Sequence, residues 1–189
     1  MAVTLVDTPT GEAASGTATV ASMAMDWARR APNQVAMREK DLGIWQEYTW
    51  ERTWNLVLDA ANGLLALGVE PGDRVSIQSE DRPEWVILDL ATVAVRGVTV
   101  GLYPTNPTAE VEYLLRDSTA TVHFAEDQEQ VDRALEVDPS KIPFLARILY
   151  TEPRGLRDYD DPRLLGWEDF LELGRQHRRE SPDAVELCM

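Results

Sequence analysis

From Arg74 to Tyr150 the sequence alternates short apolar, β-rich runs with stretches of helical periodicity, and this alternation constrains the fold more than any other feature. Arg74–Gln78, Val98–Leu102, Ala120–Ala125 and Arg147–Tyr150 read as strands. Helices are predicted between them over Glu84–Arg96, from Pro107 with Val111, Leu114 and Leu115 inward, and over Gln128–Val137. Strands joined by connections of this length pair in parallel, with the helices packed on the faces of the sheet. Right-handed crossovers then give an α/β fold with a layered, doubly wound, mostly parallel sheet of Rossmann type.

Local signals refine the outline. Asp81 and Glu84 have the spacing of a capping box, with Pro83 in the first turn. The helix that follows is apolar nearly all round, which predicts burial on most of its faces, and Gly97 stops it. Asn106 is placed as the N-cap of the next helix. Upstream, a helix is predicted over Val20–Arg30. Val35–Arg38 and Trp45–Thr49 read as a hairpin around "KDLG". Thr49 caps a long amphipathic helix that ends at Gly68. Downstream, Thr151–Arg163 reads as a polar loop and Trp167–Gly174 as a short helix. Ala184–Met189 reads as a final strand without a successor, hence as a sticky sheet edge through which the chain self-associates. Residues 1–19 are expected to be a disordered tail and residues 20–189 one partial α/β domain.

Composition excludes some functions. The formal charge is −15, which opposes nucleic-acid binding through bulk charge. The dense basic cluster Arg175, His177, Arg178 and Arg179 is read as a solvated helix end. One cysteine, Cys188, rules out a disulfide framework and suits a reducing cytoplasm; it is read as a small apolar strand residue. No apolar run is long enough to span a membrane, and the N-terminus lacks the basic-then-apolar order of a signal peptide.

Ligands of doubly wound sheets bind beyond the carboxyl ends of the strands. The loops there are "SEDRPE", "YPTNP" and "EDQEQ", none of them a Gly-rich phosphate cradle. The capping roles of Asp81 and Glu84 outweigh a catalytic one. His123 and His177 lie far apart with no ligand-spaced partner, and His123 is read as a core or sheet-edge residue. The residues therefore assign no catalytic, cofactor-binding or metal site.

The stretch "GVEPGDRVSIQSEDRPEWVILDLATVAVRGVTVGLYPTNPTAEVEYLLRDSTATVHFAED" and the upstream "YTWERTWNLVLDAANGLLALGV" resemble the N-terminal part of the AMP-forming acyl-CoA synthetases of the adenylate-forming superfamily. "GDRV", "RPEW" and "GVTVGLYPTNP" in that order look most like the long-chain fatty acyl-CoA synthetase branch. The resemblance covers about Met23 to Met189. It implies ATP, Mg2+ and CoA as cofactors of an intact enzyme, a fatty acid as its substrate, and a cytoplasmic location, with peripheral membrane contact as an option. It also implies that the chain ends about where a Ser/Thr/Gly-rich phosphate loop should begin. The family's catalytic residues then have no counterpart here, and the chain alone is expected to be inactive, with none of these cofactors bound. Tyr103 is placed either near an acyl or nucleotide pocket or, preferentially, packed under its loop. A different class of function stays open beside this one: a non-catalytic interaction or dimerisation module that complements a full-length or split synthetase through the Ala184–Met189 edge. A free-standing small-molecule binder is a third reading.

Overall fold

The computed structural model describes residues 18–189. The expected tail falls outside the described residues except for its end, where Thr19 caps the first helix. Helix α1 (Val20–Arg30) is followed by strands β1 (Val35–Asp41) and β2 (Ile44–Thr49) and helix α2 (Trp50–Ala66). Next come β3 (Arg74–Gln78), α3 (Pro83–Ala94), β4 (Val98–Leu102), α4 (Thr108–Ser118), β5 (Val122–Ala125) and α5 (Gln128–Glu136). The chain continues through β6 (Arg147–Tyr150), β7 (Leu164–Gly166), α6 (Trp167–Glu180) and α7 (Ala184–Cys188).

Five strands form one parallel sheet in the order β4-β3-β5-β6-β7. Taken in chain order this is 2-1-3-4-5, a doubly wound arrangement. Alternation along the strands splits the core. Val75, Ile77, Val122, Phe124 and Leu149 face the layer that contains α2, α3 and α6. Ala125 and Ile148 face the layer of α4 and α5, and the polar Ser76, Gln78 and His123 lie on that same side. The β1–β2 hairpin is a separate antiparallel pair, turned tightly at Leu42 and Gly43, both with positive φ.

Several expectations need correction. The helix after β3 has no capping box, because it begins one residue later than Asp81 requires. Pro83 disfavours helical geometry at the residue before it, so Arg82 stays extended (φ −116°, ψ 159°) and becomes the N-cap without a side-chain bond. The same helix is buried on most of its faces, as expected, with Val86 its one exposed residue at 41 %. Asn106 does not cap α4. Its N–H closes a turn onto the Tyr103 carbonyl, and Pro107 holds the cap position in extended geometry. β7 takes up the three residues between the polar loop and the predicted helix, to which no element was assigned, and α6 runs past Gly174 to Glu180.

The predicted terminal strand is helix α7. A strand would put Val185 and Leu187 on one face, yet Val185 is 1 % exposed and Leu187 84 %. A segment with no strand to pair with satisfies its backbone best by a helix, and the Leu187 N–H duly reaches the Asp183 carbonyl. Cys188 is consequently a helical residue, its thiol donating to the Ala184 carbonyl. The sheet edge expected to drive self-association is absent from this segment.

Candidate functional site at the carboxyl edge of the sheet

In the order 2-1-3-4-5 the chain leaves β3 and β5 in opposite directions, which opens a crevice at their carboxyl ends. Glu126, directly after β5, closes that crevice. Its Oε2 accepts from Ser79 Oγ at 3.1 Å and from the Glu80 N–H at 2.8 Å, both just past β3. Its Oε1 faces Arg82 Nη1 at 3.5 Å. The extended geometry that Pro83 forces on Arg82 directs its guanidinium to two further carboxylates, Glu84 at 3.2 Å and Glu39 of the hairpin at 3.7 Å. The Tyr48 hydroxyl donates to Glu39, and the Arg52 guanidinium stacks 4.1 Å from the Tyr48 ring centroid. One arginine thus ties the hairpin, the start of α3 and the end of β5 together. Burial pulls its pKa down, but Glu84, Glu126 and Glu39 outweigh burial and raise it above the ordinary arginine value. Burial, then the Glu39 carboxylate, raises the Tyr48 phenol.

The "YPTNP" loop after β4 is pinned at the same edge. Gln78 Nε2 donates to the Tyr103 carbonyl at 3.2 Å, and Gln130 and Arg133 of α5 donate to the Pro104 carbonyl at 3.3 and 2.6 Å. The Tyr103 side chain is 79 % exposed, so it does not pack beneath its loop as expected. The loop is held by its backbone, and the ring projects from it.

The residues singled out in the sequence do not converge on one point. His123 is buried in the middle of β5, its Nδ1 2.8 Å from Ser76 Oγ. His177 lies on α6, 2.9 Å from Asn62 Oδ1. Arg175 and Arg178 pair with Asp59 of α2 and so brace α6 on it, while Arg179 pairs with Glu172 within α6. Asp81 and Glu84 are near the edge, but Glu84 serves Arg82 and not a helix cap. Sequence reading missed Glu126 and Arg82 because their partners are distant along the chain and become neighbours only through the strand order.

The edge does not fit a nucleotide triphosphate. Three carboxylates surround the Arg82 guanidinium, Arg133 is engaged by the Pro104 carbonyl and Glu129, and no Gly-rich turn among the described residues offers its backbone amides to phosphate. Those carboxylates converge on Arg82, and no group of three or more His, Cys, Asp or Glu among the described residues is disposed to hold a metal. No helix among them is long and apolar enough to cross a membrane.

Comparison with known proteins gives this edge a context. The family described as AMP-binding enzyme matches residues 25–182. Long-chain-fatty-acid–CoA ligase FadD15 of Mycobacterium tuberculosis is 39 % identical over 130 residues, which is 69 % of this chain and 22 % of that protein. Long-chain-fatty-acid–CoA ligase ACSBG2 of Mus musculus is 25 % identical over 169 residues, 89 % of this chain and 25 % of its own length. Among solved structures, acetoacetyl-CoA synthetase from Streptomyces lividans matches with a TM-score of 0.70 at 26 % identity, over 80 % of this chain and 24 % of its own. The anthranilate CoA ligase AuaEII, solved in complex with anthranoyl-AMP, matches with a TM-score of 0.63 at 25 % identity, over 69 % of this chain and 24 % of its own. The chain thus spans between 22 % and 25 % of the length of these relatives. With the doubly wound sheet, the pinned "YPTNP" loop and these matches together, the chain belongs to the AMP-binding enzyme family, and its fold is that of a partial N-terminal domain of an AMP-forming acyl-CoA synthetase.

Proposed function

We propose that the chain is the N-terminal portion of a long-chain fatty acid–CoA ligase. The observation that carries this reading is the 39 % identity over 130 residues to a long-chain-fatty-acid–CoA ligase. The intact enzyme would join a fatty acid to AMP with release of pyrophosphate, then pass the acyl group to CoA, in the cytoplasm. A carboxylate is a poor electrophile, and adenylation supplies its leaving group. Such chemistry needs groups that stabilise phosphoryl charge as it develops. This chain's own edge is carboxylate-rich, and the guanidinium groups of Arg82 and Arg133 are already engaged. Its residues serve a different purpose. Arg82 and Glu126 hold the switch-point crevice in one geometry, and Gln78, Gln130 and Arg133 fix the loop after β4. A rigid edge of this kind positions what is built on it.

The 189 residues by themselves are accordingly proposed to be inactive. Purified chain incubated with palmitate, ATP, Mg2+ and CoA should form no acyl-CoA above a protein-free blank. Sustained turnover by homogeneous protein would contradict the proposal.

A further inference from the structure

We propose that the cleft between α1, β1 and the adjoining faces of α2 and α3 binds an uncharged bicyclic aromatic with one hydrogen-bonding group, a molecule of the indole class. A cavity of about 320 Å³ opens there, lined by Met23 and Trp27 of α1, Trp50 and Thr53 of α2, and Val86 and Leu90 of α3. That volume lies at the small end of the roughly 300–1,000 Å³ in which organic ligands are held. None of the described residues that line it carries a charge. Arg30 approaches the Trp27 ring, 5.3 Å from its centroid, but is paired with Asp26. A carboxylic acid, the substrate class of the proposed ligase, finds no cation here, so the site does not rest on that reading.

Two observations define the ligand. The Trp27 and Trp50 rings stack, with 5.8 Å between centroids and 18° between planes, and form a flat apolar wall. Folding leaves the rim in water: Met23 is 55 % exposed and Val86 41 %. A flat aromatic laid on that wall removes it from water and gains ring–ring contact. Thr53 supplies the polar element. It is 2 % exposed, and its Oγ1 is buried with no hydrogen-bond partner among the described residues. A hydroxyl left in that condition costs free energy that a bound donor or acceptor recovers. Thr53 stands one turn beyond Trp50 on α2, so the two share a face of the helix. A helical threonine has two populated χ1 wells, which lets the hydroxyl turn into the cleft. An indole N–H donated to Oγ1, with the ring on the tryptophan wall, satisfies both observations at once. A wholly apolar ligand would leave the hydroxyl bare, and a charged one would lose its hydration without compensation.

The full chain, isotope-labelled for NMR, is titrated with indole, with indene as the isostere that lacks the N–H, and with indole-3-carboxylate as the charged control. The readout is the set of tryptophan side-chain N–H signals, assigned by replacing the tryptophans singly. Indole should shift the Trp27 and Trp50 signals saturably, with a Kd of about 0.1–1 mM for a ligand of this size, and leave that of Trp167 in the core unmoved. Indene should bind about fivefold more weakly, the worth of one hydrogen bond, and indole-3-carboxylate at least about tenfold more weakly. Thr53→Val keeps the side-chain volume and removes the hydroxyl. It should lower indole affinity about fivefold, leave indene affinity unchanged and not lower the thermal midpoint. Absence of a saturable shift at Trp27 and Trp50, or equal affinity for indole and indene in the wild type, would overturn the proposal. So would a Thr53→Val variant that binds both as the wild type does or loses both alike, or carboxylate binding as tight as that of indole. A concentration-dependent dimer that moves the same two signals without ligand would overturn it as well.

Discussion

His123 shows how a single residue sets a pH dependence. It is wholly buried on β5, and Ser76, opposite it in register on β3, is its hydrogen-bond partner. Ser76 Oγ lies 3.3 Å from the Val122 carbonyl, and His123 Nε2 has no partner. The neutral ring with its proton on Nδ1 suits both facts: Ser76 accepts from Nδ1 and donates to Val122. Burial lowers the His123 pKa from 6.5 to about 4. Between those values the unfolded chain binds a proton that the folded chain refuses, so stability falls as pH drops through this window. Going from pH 7.5 to pH 5, the loss from this residue should be about 2 kcal/mol. Urea unfolding of wild type and His123→Gln at the two pH values checks it: the wild type should lose that much more than the variant, and parallel profiles would contradict it. Gly174 is a second decisive residue. The sequence reading ends the helix at Gly174, but α6 continues past it, and glycine is needed there because a Cβ would stand 1.8 Å from the Asp59 backbone oxygen of α2. Gly174→Ala gains about 1 kcal/mol of helix propensity and forces the two helices apart. We expect a net loss of about 2–3 kcal/mol in chemical denaturation, with an unchanged midpoint as the contrary result. Close approach between helices leaves no local mark in a sequence, so this role was not legible.

At the scale of elements, the sequence marked helices and strands well where the signals were local and failed where a neighbour decided. α1, β3, β4 and β6 have the boundaries that periodicity and turn residues indicate. The start of α3 was misplaced because Pro83 constrains Arg82 more strongly than Asp81 attracts the cap. β7 is three residues long, too short to show a period of two. The identity of α7 turned on whether a pairing strand was at hand, which no local pattern records. The Arg82 arrangement is also an affair of elements, since it joins the hairpin to α3 and β5. Its partners are partly solvated, so Arg82→Gln should cost only about 1–2 kcal/mol. Coupling is the sharper measure. In a double-mutant cycle with Glu126→Gln the two losses should fall short of additivity by about 0.5–1 kcal/mol. Strict additivity would show that the 3.5 Å approach of the two side chains carries no energy.

For the whole molecule, a parallel layered sheet was legible from the alternation of strands and helices, whereas the strand order was not. Crossover lengths allow several orders, and the order β4-β3-β5-β6-β7 shows only in the pairing of the folded strands. The candidate site inherits that ambiguity, because Glu126 meets Ser79 and Arg82 only when β3 and β5 are neighbours. The proposed role of this assembly is that of a working part of a long-chain fatty acid–CoA ligase. It is tested most directly by building this chain into FadD15 in place of the stretch it matches, 130 residues at 39 % identity, and assaying palmitoyl-CoA formation with ATP, Mg2+ and CoA. A folded chimera that forms palmitoyl-CoA is expected, and no product when the host lacks the segment altogether. A folded chimera that binds ATP yet forms no acyl-CoA from any long-chain fatty acid would contradict it.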